Sequence, residues 1–268
     1  MFRTAKQLKA CSLLATDGEI GRVKDLWFDT LLWNLRYFVV DPGKWTKHRQ
    51  VLISPESTLA PDWHQEVLRV DLTREQIRTS PGLETDQPVS RQYEAAIRKH
   101  YGWPVYWGVA YSSGPGIPPI DPVLATPPPI PHRVDKTELE GDPHLFSANA
   151  VAGHHVMAAD GEIGHVEDFL FDEHVWAVRY LVVSTRNWWP GKKVILSPWW
   201  TSDINWPERR IHMNLTRDAI KASPPYDPEK TLTMEDALHL HDYYGRPRWA
   251  DTEALVDAVV RSDHSHVP

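Results

Sequence analysis

The polar residues able to do chemistry in this chain come in pairs. Adding 143 to a residue number in the first part lands on a matching residue without a gap, and carboxylates and arginines are kept under that shift. Asp17, Glu19, Asp25, Asp29, Arg36 and Arg74 return as Asp160, Glu162, Asp168, Asp172, Arg179 and Arg217. Two carboxylates beside an arginine suit acid–base work or a divalent cation held through oxygen ligands. Asp25 and Asp29 equally suit strand ends and turns, where a carboxylate accepts from backbone N–H groups or pairs with Arg36. The structural role is the expected one. No serine, histidine or cysteine is kept as a nucleophile: Cys11 aligns with His154, and Ser54 precedes a proline. A non-enzyme is therefore expected, with no catalytic residue and no cofactor. The pairs His154–His155, His239–His241 and His264–His266 have no counterparts in the first part and are expected to be surface histidines, with no metal bound. Gly114 and Gly116 lie among prolines and make no phosphate loop.

Tryptophan supplies the candidate binding residues. Trp33, Trp45 and Trp63 recur as Trp176, Trp188 and Trp206 and are expected to be structural. Trp188 with Trp189, and Trp199 with Trp200, form adjacent pairs in the second copy alone. Neighbouring side chains on a strand point to opposite faces, so one of each pair is expected to face outward as an interface anchor. The contact between the two copies is the favoured destination, ahead of an external partner.

These residues must be positioned by short strands. Asp17-Gly18 and Asp160-Gly161 sit between apolar stretches and predict tight hairpins with φ above zero at both central residues. IGRVKDLWFD alternates, with Gly21 and Gly164 marking a bulge; LRYFVVD and VRYLVVS read as central strands, and VLISP and VILSP as strands stopped by proline. VLRVDL and RIHMNL alternate again, each followed by LTR, where Thr73 or Thr216 caps a helical turn. Ser90 or Thr233 starts a longer helix that stops at Gly102 or Gly245. Five or six short antiparallel strands in each copy predict a small closed barrel, since closure removes exposed edges.

The DGEIG turn, the strand ending in FD, the RYFVV or RYLVV strand, the SP-terminated strand, LTR followed by SP, and a helix ending in YG with proline after it together resemble PRC-barrel domains. That family is named for the cytoplasmic domain of the photosynthetic reaction centre H subunit. It is shared with the carboxy-terminal domain of a ribosome maturation factor. The resemblance covers residues 2–107 and 145–249. It implies small β-barrels used for protein docking, without a catalytic constellation.

The expected fold is mainly β: two tandem small antiparallel barrels, each with a short C-terminal helical extension. The domains run 1–107 and 144–249, with a proline-rich linker or strap at 108–143 and a C-terminal helix and tail at 250–268. Residues 112–131 hold eight prolines, a composition that favours an extended, semi-rigid spacer. Of 268 residues 41% are hydrophobic, enough for real cores, and a net charge of −7 argues against a nucleic-acid binder held by phosphate contacts. Residues 1–107 carry 15 basic and 13 acidic side chains, so the surplus of acid lies in the second part. A single cysteine and an amino-terminal stretch too polar for a signal peptide favour a cytoplasmic setting. No stretch is apolar for the roughly 20 residues that cross a bilayer, so no transmembrane segment is expected and only peripheral membrane association is left open. The expected function is a non-enzymatic protein-interaction or assembly module, docking onto a larger complex. The alternative is a small-ligand or metal-responsive sensor.

Overall fold

A computed structural model of the chain describes residues 1–30, 32–43, 49–83, 91–106, 145–185 and 192–247. The linker and the C-terminal tail expected at 108–143 and 250–268 lie outside the described residues, as do Trp45, Trp188, Trp189, His264 and His266. The first part runs β1 (Phe2–Thr4), α1 (Ala5–Ala10), β2 (Ser12–Ala15), β3 (Gly18–Asp29), β4 (Leu35–Asp41), β5 (Val51–Ile53), a 3-10 turn (Pro55–Ser57), β6 (Val67–Arg69), α2 (Arg74–Thr79) and α3 (Arg91–Tyr101). The second runs β7 (Leu145–Ser147), α4 (Ala148–Val151), β8 (His155–Ala158), β9 (Gly161–Asp172), β10 (Ala177–Ser184), β11 (Lys193–Leu196), a 3-10 turn (Pro198–Trp200), β12 (Thr201–Asn205), β13 (Arg210–Met213), α5 (Arg217–Ala222) and α6 (Met234–Tyr244).

The strands form two sheets, ordered β5-β4-β3-β2-β6 and β11-β10-β9-β8-β13-β12. Each takes one further strand from the other half: β1 pairs with β9, and β7 with β3. Phe2 faces Asp172 just as Leu145 faces Asp29, so the 143-residue shift maps one pairing onto the other. Two main-chain bonds repeat the exchange. Leu35 N–H donates to the Trp176 carbonyl and Val178 N–H to the Trp33 carbonyl, both at 2.7 Å. Trp33 and Trp176 hold φ of 59° and 53°, a conformation costly for so bulky a side chain, with their carbonyls turned into the opposite half.

The structure corrects three expectations. Among the described residues neither sheet closes into a barrel through its hydrogen bonds: β5 and β6 end the first sheet as separate edges, and β11 and β12 the second. The strands are not all antiparallel: β6 runs parallel to β2, and β13 to β8. The chain reaches them by crossover past the 3-10 turns that prolines Pro55 and Pro198 begin. The hairpins form, but Ala15 pairs with Gly18, which makes Thr16 and Asp17 the central residues; only the glycines, Gly18 at 142° and Gly161 at 140°, have positive φ.

The 12-residue β3 and β9 bend so that each serves three neighbours. Their ladders slip one residue twice against β4 and β10 and once against β2 and β8. At Gly21 and Gly164 an added Cβ would lie 2.0 and 1.9 Å from the carbonyl oxygens of Asp41 and Ser184, so only glycine lets these strands approach there. One buried cluster runs through both sheets, with the Phe28 and Phe169 rings 5.4 Å apart across the seam. A smaller one, containing Tyr37, Val39, Leu52 and Ile97, lies beneath α3.

Candidate functional site

The polar residues kept in both halves hold the fold. Asp17 and Asp160 accept from the backbone N–H of Arg74 and Arg217, at 2.7 and 2.8 Å, tying each hairpin to the helix that starts there. Asp29 accepts from Leu32 N–H at 2.7 Å and from Arg36 Nε at 2.6 Å; Asp172 accepts from His174 N–H at 3.0 Å and lies 3.8 Å from Arg179 Nε. Asp25 accepts from Ser147 Oγ and from Asn149 N–H, at the start of α4 in the other half. Asp168 reciprocates through the backbone N–H groups of Ala5 and Lys6; burial nevertheless raises its carboxyl above the usual range. These aspartates accept from backbone N–H groups, from the Arg36 guanidinium and, at Asp25, from the Ser147 hydroxyl and the Trp27 indole.

Chemistry appears where the halves differ. Under the shift, Glu56, Ser57, Glu94 and Arg98 of the first half become Trp199, Trp200, Ala237 and His241. Glu94 and Arg98 stand one turn apart on α3 and are 0% and 1% exposed. Both the Tyr37 and Tyr106 hydroxyls donate to Glu94 Oε1, at 2.9 and 2.8 Å. Burial first, and the Glu94 charge second, push both phenols far above their ordinary pKa, so they remain donors at neutral pH. Arg98 donates to Glu56 Oε1 at 3.0 Å and to the Pro104 carbonyl. Its burial opposes the charge, but its pKa is raised all the same, with Glu56 supplying both a hydrogen bond and a negative charge. The Arg36 guanidinium lies 3.9 Å over the Tyr106 ring.

Arg36, Glu56 and Arg98 of this cluster line one side of a cleft of about 180 Å³ at the seam. Asn34, Leu35, Arg36, Ser54, Pro55, Glu56 and Arg98 line it from the first half, and His174, Val175 and Trp176 from the second. Val175 is 55% exposed at its mouth. In the second half the corresponding wall is aromatic: Trp200 packs on His241 and Tyr244, with centroids 5.1 and 4.8 Å apart. His241 keeps one job of Arg98, its Nδ1 lying 2.7 Å from the Pro247 carbonyl.

Trp199 and Trp200 follow Pro198 just past the end of β11. They lie in a 3-10 turn, not on a strand; Trp200 is buried and Trp199 is half-buried against the core. Trp33 and Trp176, by contrast, lie at the seam. Trp33 stacks on Phe28 at 5.5 Å, and Trp176 meets Phe38 of the other half edge-on at 5.2 Å. Two histidines expected at the surface are buried: His154 and His241. Among the described residues, no three His, Cys, Asp or Glu side chains gather as a metal would require, and no helix is long and apolar enough to cross a membrane.

Glu94, Arg98 and Tyr106 are the residues that reading the sequence missed. Looking for what the copies keep selects the scaffold. The signal for the cleft is the opposite one, a charged pair at i and i+4 on a helix whose duplicate carries Ala237 and His241. No family model matches the chain, and no curated protein matches it.

Proposed function

We propose that the chain is a non-enzymatic docking module of two PRC-barrel-like halves, a cytoplasmic adaptor or assembly factor that seats an acidic group of a protein partner in the seam cleft. The observation that carries this reading is the charged wall of that cleft, present in one half and replaced by aromatic packing in the other. Two buried charges cost several kcal/mol each to desolvate, roughly, and an apolar replacement such as the second half uses avoids that cost. Keeping arginines there favours recognition over stability. Glu56, whose side chain is 43% exposed, occupies the position on Arg98 that the incoming carboxylate takes. The kinship to reaction centre H-subunit-like proteins belongs to this same proposal and rests on the motifs of the sequence.

The test is crosslinking capture in native cells with the tagged full chain. Val175→Trp fills the cleft mouth, and Leu59→Trp alters an exposed residue of the first half. A client retained by Leu59→Trp and lost by Val175→Trp, with both variants melting like the parent, supports docking at the cleft. A client that both retain removes the cleft from the reading. Glu56→Gln is expected to tighten binding, because it removes the internal competitor.

A further inference from the structure

The seam has the form of an interface between two molecules. Its contacts are reciprocal in the way a twofold dimer requires: residue i of one half meets j of the other, and j meets i. The exchanged strands, the two main-chain bonds from Leu35 and Val178, and the crossed caps from Asp25 and Asp168 all obey the rule. A few contacts have no duplicate and give direction. Arg3 Nε donates to Glu173 Oε2 at 2.9 Å, with both side chains largely buried, whereas the shift puts Phe146 and Thr30 at those positions. Lys9 Nζ donates to Asn149 Oδ1 at 2.7 Å. These contacts join a first half to a second half.

We infer that a second copy of this chain is a partner for that seam: the first half of one chain pairs with the second half of another, in both directions, giving a swapped dimer. Every seam contact above is noncovalent, and none uses residues 107–144, which join the halves. Nothing in the ladder distinguishes a β9 on the same chain from a β9 on another. The linker decides only by the effective concentration it gives the two halves of one chain. The closed monomer therefore dominates in dilute solution, and the swapped dimer forms when chains fold together at high concentration. In that dimer His174 to Trp176 reach the cleft from the second molecule, so each cleft is built by two chains.

The test uses two full-length variants, Arg3→Glu and Glu173→Arg. Alone, each sets like charges against each other at the seam, two carboxylates in the first variant and two guanidinium groups in the second. When the two variants exchange halves, one seam of the dimer regains the parental Arg3–Glu173 pair and the other carries that pair with its charges reversed. The two are unfolded, mixed, refolded at high concentration, and weighed by native mass spectrometry with one chain isotopically labelled. A dimer of one chain of each kind, absent from either variant alone, is expected. Its absence while both variants refold as monomers overturns the inference. Should either variant fail to refold, the parent chain, labelled and unlabelled, is refolded as a mixture. A mixed-mass dimer that returns to monomer when refolded dilute then supports the swap, and monomer at every concentration overturns it. Failure of partner capture at the cleft leaves these outcomes unchanged, so the two proposals fail separately.

Discussion

Cys11 and His154 occupy one position in the two halves, and burial acts on them in opposite directions. Burial pushes the Cys11 thiol up to about 11, so the nucleophilic thiolate is scarce at neutral pH. Iodoacetamide should leave Cys11 unlabelled in the native chain and modify it fully in denaturant, as read by mass spectrometry. Burial first, then the charge of Arg209, brings His154 down to about 4 from a reference of 6.5, so it folds as neutral imidazole, its ring edge-on to Trp206. The unfolded state therefore binds a proton that the folded state refuses between about 6.5 and about 4. The contribution of this site is whole above that window and is lost as pH falls through it. The melting temperature should drop over that range, and His154→Cys, the residue the first half uses, should flatten the drop. At this scale the sequence was legible by comparison of the copies: Asp17, Asp29 and Arg36 were marked as structural by being kept. The burial of His154 was not legible, because one histidine beside another gives no sign of which faces inward.

Strands and helices carry the repeat, and glycine sets how closely they pack. Gly21→Ala and Gly164→Ala each place a methyl against a carbonyl oxygen at positive φ, which should cost about 3 kcal/mol, measured by urea denaturation. Asp17→Ala, which leaves the first N–H of α2 without its acceptor, should cost about 1 kcal/mol in the same assay. Most elements were readable from local chemistry: Thr73 and Thr216 cap α2 and α5, Thr233 caps α6, and Gly245 ends it at φ 58°. The missed helix α1 had its own mark, the capping box formed by Thr4 and Gln7. Strands β1 and β7 had none. Three residues show no period, and their partners lie in the other half.

The molecule as a whole shares one buried cluster between its sheets, so the halves should unfold together. Phe28→Ala removes a ring packed on Trp33 and on Phe169 of the other half, at a cost of about 3–5 kcal/mol. Calorimetry should show a single transition moved to lower temperature. Hydrogen exchange should rise in β9 as well as in β3; exchange confined to the first sheet would mean the halves are energetically separate. The sequence by itself determined the duplication, the mainly β composition, the caps and the faces to be buried, because period and turn chemistry act over a few residues. Only the tertiary structure decided which strand pairs with which, that β1 and β7 change places, that the sheets stay open, and that Arg36 and Arg98 share a cleft with Trp176. Alternation tells a strand to bury one face but not against what, and for β1 and β7 that choice is made between residues more than a hundred positions apart.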